Sequence, residues 1–254
     1  MASSAAGMTT GAAKSEAPDF RPLYAQVRAL MINRLVRGEW RPGELLPSEG
    51  RLAAAFGVSQ GTVRKALDEM AAQNLVVRHQ GRGTFVAQHS EAQALFHFWH
   101  IRDRKGAKEL PTGQVLKLRA AKASRAEARY LALPARAKVW EILRLRHLRN
   151  RPVILERIAV PAALFPGLEL PIGRDLPDEL YVLYQEKFAV TVTRAQEKLR
   201  AVAADRTDAK RLGVAPGSPL LEIDRIASSL DGTPVEWRLS RCNSANHHYY
   251  SEIE

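Results

Sequence analysis

The chain has a single cysteine, Cys242, so it can form no internal disulfide and fits a reducing compartment. It has no uninterrupted apolar run long enough to span a bilayer, which points to a cytoplasmic protein with no membrane partner. Its first 19 residues, MASSAAGMTTGAAKSEAPD, lack a basic start followed by an apolar stretch. They read as a disordered leader and not as a signal peptide. Histidines at metal-ligand spacing are missing too. His247 and His248 are adjacent and would point opposite ways on a strand. With one thiol and no nucleophile–base motif, catalysis is disfavoured, and no catalytic residue, cofactor or metal is expected. Acidic residues are scarce: 27 Asp+Glu against 38 Lys+Arg leave a net charge of +11. That surplus invites a nucleic-acid partner. Its distribution is less simple. Residues 1–88 carry +4, the remainder +7, and the excess is densest at 101–150, with 14 basic and 4 acidic residues. Charge alone points to the second half, where an anionic ligand, DNA or a solvated surface would all fit.

What is present is a series of helix signals. From Pro22 to Gly38, Leu23, Val27, Leu30, Met31 and Leu35 recur at helical spacing. RPGELLPSE then forces a loop, and Ser48 can cap a second helix through Leu52, Ala53 and Phe56, stopped by Gly57. Ser59 can cap a third, whose stripe Val63, Ala66, Leu67 and Met70 is its buried face. LVVRHQGRGTFVA follows as two β-type runs around a glycine-rich tip. Three helices and a hairpin make a winged helix-turn-helix, with GVS as the tight turn. Gln60, Gly61, Arg64, Lys65 and Asp68 are left facing outward. In such a motif the leading end of the third helix enters the major groove. Gln60 can pair with adenine, and Arg64 with guanine or a phosphate. Ser59, Thr62 and the first-turn N–H groups suit phosphate oxygens. Gly61 would let the backbone approach closely. Taken singly, each piece also fits a solvated helix face or a common turn; their order is what is specific.

From Pro22 to Ala87 the chain resembles the GntR family of bacterial transcription regulators. The residues that carry the resemblance are PLY at 22–24, LPSEGRLAAAFGVSQGTVRKALDEM at 46–70 and RHQGRGTFV at 78–86. The family reads Leu-Pro-Ser-Glu-Arg-Glu-Leu-Ala and then Val-Ser-Arg-Thr-Thr-Val-Arg. Here Gly50 and Gln60 stand where it has arginines, Gly61 replaces a threonine, and Arg64 stays. The resemblance implies a double-stranded DNA operator, palindromic and bound by a homodimer. It also implies a contact surface that adds Tyr24, Ser48, Arg51, Arg78, Gln80, Gly81 and Arg82 to Ser59, Gln60, Gly61, Thr62, Arg64 and Lys65. The two missing arginines imply different operator bases.

After HSEAQALFHF a second domain begins near Phe96. The expected division is a leader at 1–19, a DNA-binding domain at 20–88, a linker at 89–96 and a second domain at 97–254. The second domain echoes itself at an offset of 81: SRAEARYLAL (124–133) matches DRTDAKRLGV (205–214), and EILR (141–144) matches EIDR (222–225). Each copy reads as a short helix, a strand, a turn and a return strand, so two helix–hairpin units would build one antiparallel sheet. Coincidence among Ala/Arg/Leu-rich segments is the alternative. The layout resembles the UTRA ligand-sensing domain of the HutC branch of GntR regulators, whose fold is similar to chorismate lyase. The fold class expected is therefore α+β, a winged helix-turn-helix followed by a mixed domain with an antiparallel sheet. The resemblance implies an effector pocket at Arg144, Arg146, Glu156, Tyr181 and Glu236, with Cys242 and Glu179 where many members have Tyr and Ser. Arg144 and Arg146 share one strand face and would hold an anionic small molecule, leaving hydroxyl or amine groups to the glutamates. A cross-strand ion pair on a solvated face is the plainer reading of Arg144 and Glu156. The function expected is a ligand-responsive repressor. A DNA-binding protein with a purely structural second domain, and a lyase-like enzyme, are the alternatives.

Overall fold

The N-terminal core is built by residues that the helical spacing singles out. In the computed structural model, residues 21–87, 99–108, 111–174, 176 and 180–252 are described. The expected leader, the expected linker and Glu179 lie outside them. Helix α1 (Leu23–Val36) buries Val27, Met31 and Leu35. Helix α2 (Glu49–Phe56) starts at Ser48, whose hydroxyl accepts from the Arg51 N–H, and ends at Gly57 in the left-handed region (φ 65°). Helix α3 (Gln60–Ala72) buries Val63, Ala66, Leu67 and Met70 and starts at Ser59, which accepts from the Thr62 N–H at 3.2 Å. Strands β1 (Val76–His79) and β2 (Gly83–Val86) form the hairpin, and Leu45 pairs with Phe85 across its open side. These elements share one core with Trp40, Leu46 and Leu75. Each fully buried Leu or Met in it contributes about 1.5–3 kcal/mol.

The second half holds a six-stranded antiparallel sheet, ordered β4-β5-β6-β9-β8-β7. Its strands are β4 (Thr112–Lys122), β5 (Lys138–Leu148), β6 (Arg151–Pro161), β7 (Val192–Ala203), β8 (Pro219–Ser229) and β9 (Pro234–Cys242). Helix α4 (Arg125–Tyr130) follows β4, and helix α6 (Arg206–Leu212) follows β7. The order is symmetric about the β6–β9 seam, so the repeating unit is strand–helix–strand–strand. It is longer than the helix–hairpin echo in the sequence, because β4 and β7 belong to it as well. The helix ends repeat residue for residue. Ser124 and Glu127 form a capping box before α4, and Asp205 and Asp208 form one before α6. The left-handed stop is Ala132 (φ 51°) in one copy and Gly213 (φ 67°) in the other.

The two sheet faces have different covers. Helices α4 and α6 pack on one, with Leu131 over Val139 and Ala159, and Leu212 over Leu145 and Leu155. Helix α5 (Leu180–Phe188), between the repeats, covers the other with Leu180, Tyr181, Leu183 and Tyr184 against Ile142, Ile158 and Val160. A two-stranded sheet of β3 (Ile101–Asp103) and β10 (His247–Tyr249) adds Ile101 and Tyr249 to a cluster with Ile154, Ile223 and Cys242. His247 and His248 are consecutive on β10, half-buried and exposed respectively. At the β8–β9 turn, Leu230 packs against the N-terminal core.

Candidate DNA interface and ligand site

The cap at Ser59 and the buried stripe of α3 fix what its leading end shows. Ser59, Gln60, Gly61, Arg64 and Lys65 are exposed, and Thr62 is half-buried with its hydroxyl 2.9 Å from that of Ser59. The capping oxygens of Ser48 and Ser59 accept from backbone N–H groups, and between them the paired Ser59 and Thr62 hydroxyls keep one proton to donate outward to a phosphate. Glu49, at the first turn of α2, gathers the arginines of this surface. It accepts from Arg64 Nε at 3.0 Å and lies 3.4 Å from Arg78 Nη2, which also meets Asp68 at 3.0 Å. The expected contact residues are thus pre-oriented by carboxylates on their own surface. Lys65 Nζ lies 4.1 Å from the centre of the Tyr24 ring, which joins two more. At the hairpin tip Gln80, Gly81 and Arg82 are all exposed, and Gly81 is left-handed (φ 72°), a conformation that favours glycine. Arg51 is exposed beside Ser48. Missing from the sequence reading was the closeness of Gly50 to Gln60: a Cβ at position 50 would meet Gln60 Nε2 at 3.2 Å. The two departures from the family pattern are neighbours in space.

The second site starts from strand register. Arg144 on β5 is directly opposite Glu156 on β6, and Arg144 Nε donates to Glu156 Oε2 at 2.6 Å. The cross-strand ion pair therefore exists, but on a buried face and not a solvated one: Arg144 is 1% and Glu156 3% exposed. Arg146, two residues on, shares that face, with its guanidinium 4.9 Å from the centre of the Trp99 ring. Glu236 on β9 is fully buried. Its Oε1 accepts from Tyr181 Oη at 3.0 Å and its Oε2 from Tyr184 Oη at 2.8 Å. All five expected ligand residues are on the α5 side of the sheet. Five side chains absent from that expectation complete the cluster: Arg238, Arg225, Glu197, Tyr249 and Tyr184. Arg238 Nε and Nη2 donate to the two Glu236 oxygens at 2.9 and 2.8 Å, and its Nη1 reaches Glu156 Oε1 at 3.3 Å. Arg225 donates to Glu197 at 2.5 Å, and the Tyr249 hydroxyl donates to the same carboxylate. Tyr184 is one helical turn from Tyr181, and that spacing was the available signal for it.

The titration behaviour follows from this packing. Burial alone would raise the Glu156 pKa, but Arg144, Arg238 and Arg146 outweigh it and hold the carboxyl well below its usual range. Burial, reinforced by the Glu236 charge, pushes Tyr181 up to about 12 and Tyr184 upward as well. Both tyrosines are neutral donors at physiological pH. Burial raises the Cys242 thiol to about 12, so it behaves as an apolar side chain. Glu156 and Glu236, assigned from the sequence to ligand hydroxyl or amine groups, each accept from protein donors in this structure. The basic surplus at 101–150 is also differently spent: of its fourteen basic residues, Arg144 and Arg146 alone are buried. Among the described residues no cluster of His, Cys, Asp and Glu could hold a metal ion, and no helix is long and apolar enough to cross a membrane.

A winged helix-turn-helix joined to a duplicated antiparallel sheet with a buried polar cluster defines a DNA-binding regulator with a sensing domain. The family comparisons agree. The model for the bacterial regulatory proteins of the gntR family matches residues 23–86, and that for the UTRA domain matches residues 107–248. The chain belongs to the GntR family of bacterial transcription regulators, in its UTRA-containing branch. It is 30% identical over 205 residues to the histidine utilization repressor of Pseudomonas aeruginosa, covering 80% of each chain. It is 25% identical over 230 residues to the mannosyl-D-glycerate transport/metabolism system repressor MngR of Escherichia coli, covering 90% of this chain and 95% of that one. The ligand-binding domain of a GntR-family regulator from Bordetella bronchiseptica superposes with a TM-score of 0.58 at 32% identity, over 62% of this chain and 98% of that one. PhnF from Mycobacterium smegmatis shares the fold, with a TM-score of 0.53 at 23% identity over 90% of this chain and 99% of that one. These relatives are regulators, and the lyase-like enzyme reading is set aside on that ground.

Proposed function

We propose that the protein is a ligand-responsive repressor that binds a palindromic operator as a homodimer and is released by a small anionic metabolite. The observation that carries this reading is the buried cluster of Arg144, Arg146, Glu156, Arg238 and Glu236 under α5. A buried ion pair is often no more stabilising than apolar residues of the same volume, so a lattice of them in a sensing domain fits a ligand site better than a structural need. Arg144 and Arg146 would hold the anion through charge-assisted bonds. The exposed end of α3 would read bases through Gln60 and Arg64, with Ser48, Ser59 and Thr62 on phosphates and the tip Gln80-Gly81-Arg82 in the adjacent minor groove. The relatives from Pseudomonas aeruginosa and Escherichia coli are both repressors by name, which supports the sign of regulation.

A physical route between the sites supports coupling. The β8–β9 hairpin carries Leu230, packed on the DNA-binding core, and Glu236, which grips α5 through Tyr181 and Tyr184. A ligand that shifts this grip would favour one domain arrangement over another, to the extent that it binds the two differently. The test is a thermal-shift screen of organic acids, sugar acids and sugar phosphates, followed by DNA release. The Arg144→Ala/Arg146→Ala double variant should need at least about tenfold more of the best hit for release. Release at the wild-type concentration would refute the assignment.

A further inference from the structure

Trp99 stands two residues before β3, on the chain that leads in from the DNA-binding half. Its indole Nε1 is buried and has no hydrogen-bond partner among the described residues. Buried donors are nearly always paired, and leaving one unpaired is costly. The buried residues on which Trp99 packs are Ile101, Leu148, Val153, Ile154, Ile223 and Cys242, and none has a side-chain oxygen that could accept from it. The Arg146 guanidinium lies over the ring, 4.9 Å from its centre. Arg146 is itself buried, on the strand face that carries Arg144. Packing and the ring–cation contact account for an aromatic side chain here. They do not account for the N–H, because a phenylalanine would pack on the same floor and bring no donor with it.

We propose that Trp99 is a ligand-contact residue, whose N–H donates to an oxygen of the anion held by Arg144 and Arg146. This rests on the reading of those two arginines as the anion site, and it adds a neutral, directional donor to two charged ones. The ligand class that fits is an oxyanion, a carboxylate or a phosphate ester, with a lone pair left for the indole once the arginines have bound it. Without ligand the sensor bears the cost of an unmade hydrogen bond, and the ligand relieves it.

Two measurements on the full-length protein test this together. The first is calorimetric titration with inorganic phosphate and with succinate, which separates the two kinds of oxyanion. The wild type should bind at least one of them. Trp99→Phe keeps the ring and loses the N–H, and should bind that probe about tenfold to a hundredfold more weakly, the scale of a hydrogen bond to a charged group. The second is the melting temperature without probe, where Trp99→Phe should melt no lower than the wild type, since it removes an unpaired donor and no contact of the ring. A merely structural Trp99 gives the opposite pattern, a lower melting temperature with unchanged affinity, and that result overturns the proposal. So does a wild type that binds neither probe. Trp99→Phe binding like the wild type, while Arg144→Ala/Arg146→Ala binds more weakly, removes Trp99 and keeps the anion site. Wild-type affinity in Arg144→Ala/Arg146→Ala removes the anion site and the proposal with it.

Discussion

Replacing Glu236 by Ala should unfold the sensing domain at a markedly lower urea concentration, and the size of the loss can be worked from its contacts. The carboxylate is fully buried and ends four hydrogen bonds. Without it Arg238 keeps one carboxylate contact, to Glu156 at 3.3 Å. Removing one partner of a buried ion pair costs about 3–5 kcal/mol. Two buried tyrosine hydroxyls also lose their acceptor, at about 1–3 kcal/mol each where water cannot replace it. These terms overlap, because the cavity left by the side chain admits some water, so about 4–6 kcal/mol is the expected total. That is a large part of a typical domain stability of about 5–15 kcal/mol. Glu236→Gln keeps the shape and one acceptor oxygen and should cost less. Glu236→Gln/Arg238→Met removes both charges and should recover part of what Glu236→Gln loses, a positive coupling in a double-mutant cycle. Urea titration followed by tryptophan fluorescence gives each value, with Trp99, Trp140 and Trp237 reporting from the second domain. A Glu236→Ala loss below about 1 kcal/mol would mean that the lattice is solvated and that this burial-based reasoning is wrong.

Other consequences are accessible to simple assays. Arg64→Ala should weaken operator binding by roughly tenfold to a hundredfold in a gel-shift titration at fixed salt, with the fold unchanged, because Arg64 is exposed and contacts Glu49 but no core. Gln60→Arg should change the preferred half-site in selection from random duplexes, since an adenine-reading amide becomes a guanine-reading fork; identical half-sites would remove Gln60 from the base contacts. Because the folded Glu156 carboxyl titrates below its ordinary value of 4.5, its stabilisation is fully present above that pH and is lost as pH falls further. Glu156→Gln should therefore lower the urea midpoint at pH 7 and flatten its decline below about pH 4.5. Cys242, buried and with its thiol raised to about 12, should resist alkylation at pH 8 in the native protein and react promptly in urea.

The DNA-binding half was legible because its signals are local. Caps at Ser48 and Ser59, the glycine stop at Gly57 and an apolar stripe repeating every three or four residues each act within one helical turn. The echo in the second half was legible for a similar reason: the matched stretches are the cap boxes and the strands beside them. The faces of the strands were harder. Period-2 alternation separates inside from outside when the inner residues are apolar. Here Arg144, Arg146, Glu156, Glu236, Arg238 and Ser240 all point inward, so the pattern that marks a solvated face marks the interior. Arg238 stands two residues after Glu236 and shares its face, yet nothing in that spacing says that it binds Glu236 and not a ligand.

Register explains why the buried charge cluster is single although the sheet is double. Arg144 on β5 faces Glu156 on β6, an opposite-charge pair. At the equivalent place in the second repeat Arg225 on β8 faces Arg238 on β9, a like-charge pair that is unfavourable by itself. Each of these arginines draws a carboxylate from elsewhere: Glu197 from β7 for Arg225, and Glu236 from its own strand for Arg238. Arg238 then reaches across the seam to Glu156, which ties the second repeat to the first. An acid in one copy and a base in the other thus turn two equivalent hairpins into one asymmetric cluster. Helix α5 lies over that cluster, and its two tyrosines end on the same Glu236. The duplicated backbone supplies the frame, and the exchange of charge between Glu156 and Arg238 decides where in that frame the buried polar cluster lies.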